Sequence, residues 1–144
     1  MLLGEYEHTI DDKNRLTLPA RFRRAFEGGI VVTRGLDGCL YAWSPDAWEN
    51  YRDSTLAGLQ PLSKEGRRMQ RHFFSGASET APDKQGRVSI PPALLTHAKL
   101  GRDVVVAGVN DHLEIWDRDA WRAELAEVEG SAEDVAERLA AQGS

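Results

Sequence analysis

Hydrophobic and polar positions along this chain fall into short, differently spaced blocks. From Gly4 to Ile10 and again from Arg15 to Leu18 they alternate with the period of about two that a half-buried strand requires. Between these blocks, Asp12-Lys13-Asn14 reads as a tight turn. Pro19 then suits the start of a helix, where its missing N–H does no harm, and a short helix is expected over Ala20–Phe26. Apolar runs at Ile30–Arg34 and Cys39–Trp43 predict two more strands around a turn, and Ser44 is placed to cap a helix after them. Ser63–Phe74 has a helical pattern, with Met69, Phe73 and Phe74 on an apolar side and Arg67, Arg68 and Arg71 elsewhere.

The second half repeats the first. Aligning Asp11 with Asp83 brings Arg15 onto Arg87, Leu16 onto Val88, Thr17 onto Ser89, Leu18 onto Ile90 and Pro19 onto Pro91. After a one-residue slip the spelling matches Val31-Val32 to Val104-Val105, Gly35 to Gly108, Leu40 to Leu113 and Trp43 to Trp116. Asp46-Ala47-Trp48 falls on Asp119-Ala120-Trp121, so all four tryptophans belong to the repeat. A duplicated unit predicts a duplicated fold. Strands are expected around Lys84-Gln85-Gly86, a helix over Ala93–Ala98, strands over Asp103–Ala107 and His112–Trp116, and a helix capped by Asp117. Asn14 and Gly86 coincide in the alignment, and both residue types tolerate the positive φ of a tight turn. Trp48 and Trp121 are expected to pin the closing helix of each unit to its sheet. The tail Ser131–Ala141 reads as a short acidic helix starting at Ser131 and Asp134, expected to fray.

Length and composition narrow the class. The chain has 144 residues, 41% apolar and 28% charged, which is ordinary for a globular domain with a real core. Cys39 is the single cysteine and sits in an apolar run, so it reads as a small core residue and the chain has no internal disulfide framework. The four histidines lack zinc-site spacing, and neither a metal nor a cofactor is expected. MLLGEYEH has no basic stretch of a signal peptide, and no apolar run approaches the roughly 18 residues of a membrane span. The expected location is the cytoplasm.

A net charge of −5 argues against nucleic acid until its distribution is read. Residues 113–144 hold nine acids and three bases, whereas residues 13–24 hold Lys13, Arg15, Arg21, Arg23 and Arg24 and no acid. A phosphate backbone responds to the local patch rather than to the total. The same arginines also suit a solvated helix face.

Three kinds of chemistry compete for the repeated Asp-x-x-x-Arg. Catalysis has little support: there is no Gly-x-Ser-x-Gly, no phosphate-cradling glycine loop and no His-Glu-x-x-His. An Arg four residues after Asp11 and Asp83 would hold each acid ionised rather than tune it for proton transfer, and no small-molecule substrate is indicated. A purely structural pair across each turn is the second reading, although exposed pairs add little to stability. The recognitional reading uses every part. Lys13, Asn14 and Arg15, or Lys84, Gln85 and Arg87, project from a rigid turn toward base edges. Asp11 and Asp83 orient their arginines, and Arg21, Arg23 and Arg24 grip phosphates.

GEYEHTIDDKNRLTLPARFR, DKQGRVSIPPAL and the middle RRMQRHFFSGA resemble the MraZ family of bacterial transcriptional regulators, over residues 1–128. The resemblance implies an α+β, mainly β fold: two tandem SpoVT/AbrB-like swapped-hairpin units forming an intramolecular pseudo-dimer, with peripheral helices. The expected divisions are 1–56 and 77–128 for the units, 57–76 for a helical connector and 129–144 for an acidic, mobile tail. It also implies a repressor that binds double-stranded DNA at repeated G-containing promoter boxes, upstream of its own operon in the division and cell-wall gene cluster. The assembly implied is a ring-like homo-oligomer, nucleoid-associated. The family's key positions fall on Asp11, Arg15, Asp83 and Arg87. Asn14 stands where the family usually has Gly, and Ala93, Leu95 and Thr96 stand near where a second set of arginines would match. The N-terminal unit is therefore expected to dominate electrostatically. The competing reading is an antitoxin-like protein-binding module on the same fold; RNA binding lacks an exposed aromatic platform.

Overall fold

The computed structural model describes residues 1–143. In chain order its elements are β1 (Leu2–Thr9), β2 (Arg15–Thr17), α1 (Ala20–Arg23) running into a 3₁₀ turn at Arg24–Phe26, β3 (Ile30–Arg34), β4 (Leu40–Trp43) and α2 (Pro45–Ser54). A 3₁₀ turn at Leu56–Gly58 leads to α3 (Lys64–Gln70), which continues into a π-helical turn at Arg71–Ser75. Then follow β5 (Ser78–Thr80), β6 (Arg87–Ser89), α4 (Pro92–His97), β7 (Asp103–Asn110), β8 (Leu113–Asp117) and α5 (Arg118–Gln142).

The alternation of the first strands is real, but their partners are not each other. Among the described residues no ladder joins β1 to β2; just beyond β1, Ile10 forms an isolated bridge with Leu16. β1 instead pairs antiparallel with β7 of the second unit, β5 pairs with β3 of the first, and β2 pairs with β6. The six-stranded sheet therefore runs β1-β7-β8-β4-β3-β5, an order that reads the same from either end once equivalent strands are matched. β4 and β8 meet at its centre with Tyr41 opposite Glu114. The two-stranded ribbon β2-β6 is centred on Leu16 opposite Val88. A pseudo-two-fold axis passes through both pairs, as expected of two swapped-hairpin units closed into one pseudo-dimer.

This register corrects the repeat alignment in one place. Val31 lies opposite Trp43 and Val105 opposite Trp116; Val32 lies opposite Ala42 and Val106 opposite Ile115. Val31-Val32 is thus equivalent to Val105-Val106, not to Val104-Val105. A one-residue slip would have put every β7 side chain on the wrong face. Gly35 and Gly108 are not equivalent either. Gly108 lies in the β1-β7 ladder, where a Cβ would come 2.6 Å from the backbone of Leu2 and Leu3, whereas Gly35 lies against the Tyr41 ring.

The two faces of the sheet have different cover. Ile30, Val32, Leu40, Ala42, Val104, Val106, Leu113 and Ile115 face the ribbon and its helices and form one core with Leu16, Leu18, Val88 and Ile90. The alternate residues face the other way, toward α2, the π-helical turn and α5. There Trp48 packs on Trp43, Trp121 packs edge-on against Trp116, and Phe73 stacks on Tyr41. The two pinning tryptophans behave as expected. Cys39 is fully buried, and burial pushes its thiol pKa far up, in keeping with a core role.

Local signals mostly act as read. Ser44, Ser63 and Asp117 accept hydrogen bonds from the amides of Ala47, Gly66 and Ala120 and so cap α2, α3 and α5. The tail differs. Ser131 does not start a new helix: it lies inside the 25-residue α5, and its hydroxyl donates back to the Glu127 carbonyl. Among the described residues, no helix is long and apolar enough to cross a membrane.

Candidate nucleic-acid interface

Each Asp-x-x-x-Arg closes on itself in the same way. Asp11 Oδ1 accepts from the amides of Lys13 and Arg15, both at 2.9 Å, and Oδ2 accepts from Arg15 Nε at 2.8 Å. Asp83 Oδ1 accepts from the amides of Gln85 and Arg87, both at 2.9 Å, and Oδ2 accepts from Arg87 Nε at 2.7 Å. Backbone bonds Asn14 N→Asp11 O and Gly86 N→Asp83 O complete the two turns. The turning residues have φ of 61° at Asn14 and 75° at Gly86, the conformation that Asn and Gly were expected to supply. The amide of Arg15, then its guanidinium and the Lys13 amide, hold the Asp11 carboxyl below its ordinary pKa; Arg87 and Gln85 do the same for Asp83. Both acids stay charged at any physiological pH.

The ribbon brings the two motifs together. Arg15 lies opposite Ser89 and Thr17 opposite Arg87, flanking the buried Leu16↔Val88 pair. Because strand side chains alternate, Arg15, Thr17, Arg87 and Ser89 share the outward face, and Arg15 and Arg87 sit on its diagonal, roughly 7–8 Å apart. Two further bonds lock each turn to the other strand: Leu18 N→Gly86 O at 2.9 Å and Ile90 N→Asn14 O at 2.8 Å. Each Asp takes only the Nε of its arginine, so the Nη groups have no protein acceptor among the described residues. Lys13, Asn14, Lys84 and Gln85 are exposed on the adjoining turns. A two-stranded ribbon of this kind is one of the shapes that B-DNA's major groove, roughly 12 Å wide, admits.

The family-model match is to "MraZ protein, putative antitoxin-like", over residues 1–71 and 73–142. The chain belongs to the MraZ family. Relatives named "Transcriptional regulator MraZ" are close along nearly the whole length. That of Ligilactobacillus salivarius (strain UCC118) is 45% identical over 139 residues, 96% of each chain. That of Roseiflexus castenholzii (strain DSM 13941 / HLO8) is 46% identical over 140 residues, 97% of each chain. Membership of the MraZ family and the tandem match agree with the pseudo-dimer seen in the strand pairing.

The remaining sequence-derived candidates divide. Arg24 is exposed and meets no acidic partner among the described residues. Arg21 approaches the Tyr6 hydroxyl at 3.5 Å. Arg23 is committed further: its Nε donates to the Leu18 carbonyl at 3.1 Å, and its side chain lies over the second turn, where a Cβ on Gly86 would come 2.6 Å from Nε. Sequence reasoning passed over Thr17 and Ser89, although alternation about Leu16 and Val88 marks them as outward. It also passed over Arg102, which lines a surface hollow with Asp11, Asp12 and Asn14; its carbonyl accepts from the Ile10 amide. An isolated Arg between Gly101 and Asp103 gives no local signal of that position.

Proposed function

We propose that the chain is a transcriptional regulator that binds double-stranded DNA sequence-specifically, inserting the β2-β6 ribbon into the major groove. One observation carries the reading: two Asp-clamped arginines, Arg15 and Arg87, occupy one outward face about a pseudo-two-fold axis. Asp11 and Asp83 fix the torsions of their arginines, so each arginine loses little freedom on forming a bidentate contact with guanine O6 and N7. Lys13, Lys84, Arg21, Arg23, Arg24 and Arg102 supply the phosphate contacts, and Asn14 and Gln85 the amide groups that suit adenine edges. The names of the relatives support a regulator, and the function follows as repression from repeated boxes upstream of its own operon in the division and cell-wall gene cluster. One chain offers few cations for a net acidic protein, so several chains in a ring-like homo-oligomer would engage several boxes and gain affinity by effective concentration.

The test is binding to the chain's own upstream DNA across a salt titration. Affinity at about 150 mM salt well above that for random DNA supports the reading, and equal affinity sinks it. The family description favours the second reading, an antitoxin-like module that binds a protein partner. Pull-down of a toxin encoded next to it, with no DNA preference, would favour that reading instead.

A further inference from the structure

The outward face of the ribbon is equivalent at its two arginines and inequivalent at the residues beside them. The register places Thr17 opposite Arg87 and Ser89 opposite Arg15. The bonds Leu18 N→Gly86 O and Ile90 N→Asn14 O fall on the pairs to either side. By alternation, Thr17↔Arg87 and Arg15↔Ser89 are the non-hydrogen-bonded pairs of the ladder. Side chains of such pairs stand closest together, with Cα atoms about 4.5 Å apart. Each arginine thus has one short hydroxyl residue as its immediate neighbour, and the two neighbours differ by a single methyl group.

That methyl is restricted in direction. Thr17 is half-buried and β-branched, which leaves its χ1 little freedom, whereas Ser89 is exposed and unbranched. The Asp clamps bring these short side chains into play. Arg87 Nε is bound to Asp83 and Arg15 Nε to Asp11, each four residues back along the chain. Each guanidinium is drawn toward its own turn instead of reaching straight out from the strand. For the Nη groups to meet a base edge, the ribbon backbone must approach the floor of the groove closely. At that approach a threonine side chain comes within contact of the bases, where the major groove offers it one apolar feature, the C5-methyl of thymine.

We propose that Thr17 reads a thymine methyl on the base pair next to the guanine bound by Arg87, and that Ser89 makes no such contact beside Arg15. The chain then tells the two halves of its site apart, one guanine being read with a neighbouring thymine and the other without. The inference rests on the DNA reading of the ribbon and adds a specificity-determining residue to it. A purely structural Thr17 would support the strand through its β-branched side chain and affect all DNA alike.

Deoxyuridine differs from thymidine only by the C5-methyl, so it is the probe. Anisotropy titrations of the full chain use a single cognate box with each thymine in turn replaced by uracil. One replacement should lower affinity about 3- to 5-fold, the worth of one buried methyl. It should adjoin the guanine whose change to adenine weakens the parent but not Arg87→Ala. Thr17→Ser should bind the thymine box as weakly as the parent binds the uracil box, and should lose the sensitivity. Thr17→Val, which keeps the methyl, should retain it. Ser89→Thr, with a thymine placed beside the guanine of Arg15, should gain a second sensitive position. A parent indifferent to every uracil overturns the proposal, as does a sensitivity that survives Thr17→Ser. Equal losses on thymine and uracil boxes in Thr17→Ser make the residue structural and also overturn it. In each of these cases a parent that still prefers the cognate box to scrambled DNA leaves the DNA reading intact. A parent without that preference overturns both.

Discussion

Arg15→Ala and Arg87→Ala, made singly and together, probe the ribbon most directly. Each substitution removes a guanidinium but leaves the Asp Oδ1 bonds to the two turn amides, so the turn keeps its backbone restraints. Neither arginine is needed to cover Leu16 or Val88, which are buried from the inner face of the ribbon. Thermal unfolding should therefore change little. DNA binding should change substantially: a lost bidentate contact to guanine costs about 1–3 kcal/mol, a loss of about 5- to 150-fold in affinity for the cognate box. Because the two arginines lie diagonally across the ribbon, they would contact different base pairs, and the double variant should lose about the sum of the single costs. Non-specific DNA should lose far less than cognate DNA. Fluorescence anisotropy with cognate and scrambled duplexes at fixed salt measures both. Cognate affinity unchanged for either single variant, with the fold intact, would refute the role assigned to that arginine. Equal losses on cognate and scrambled DNA would reassign it to the phosphates.

Three further substitutions test the scaffold beneath the ribbon. Gly86→Ala places an L side chain at φ 75° with its Cβ 2.6 Å from Arg23 Nε, and should destabilise by about 1–2 kcal/mol in urea unfolding. Asn14→Gly, at the equivalent exposed position with φ 61°, should cost little or stabilise slightly. Leu16→Ala removes a fully buried side chain from the centre of the ribbon and should cost about 2–5 kcal/mol by the same measurement. Burial pulls the His112 pKa down, but Glu114 and Asp111 outweigh it and the net shift is upward; Asp111 Oδ1 lies 2.7 Å from Nδ1 and Glu114 Oε2 3.6 Å from Nε2. With the folded pKa above the unfolded one, the stabilisation is complete below pH about 6.5 and is lost as pH rises through the folded value. Urea midpoints should thus fall over that range in the parent and not in His112→Gln; parallel curves for the two proteins would exclude the link.

What was legible in the sequence was what local chemistry determines. The Asp clamp acts on amides two and four residues away, so its spacing is visible in DDKNR and DKQGR alone. Asn14 and Gly86 show the turn conformation by residue type, and Ser44 and Asp117 show the helix starts. Strand partnership is set at long range. Nothing in Gly4–Ile10 favours β7 over β2, and it took the resemblance to the family to suggest a swap. The run Val104-Val105-Val106 offers two spellings of the same pair, so only the ladder fixes its register. Ser131 misled for a related reason. Its capping pattern is local, but inside the continuous α5 its hydroxyl donates back to the Glu127 carbonyl instead of capping a new start.

The swap also redistributes charge, and this revises the expectation that the N-terminal unit dominates. Along the chain, Arg21, Arg23 and Arg24 belong to the first unit. In space Arg23 lies over Gly86 of the second turn, while Arg102 of the second unit lies beside Asp11 and Asn14 of the first. Within the turns themselves, Lys13 is offset by the neighbouring Asp12, whereas Lys84 has an uncharged Gln85 beside it. Each turn thus receives a cation from the opposite unit, and the two ends of the ribbon are closer in charge than the linear sequence makes them. The expected consequence is a coupling that follows space. Arg23→Ala and Lys84→Ala should be non-additive in DNA binding, because they border one turn, and Arg23→Ala and Lys13→Ala should be additive. Double-mutant cycles on cognate DNA at low salt measure both. Additivity in the first cycle and coupling in the second would return Arg23 to the first turn and reinstate the dominance of the N-terminal unit.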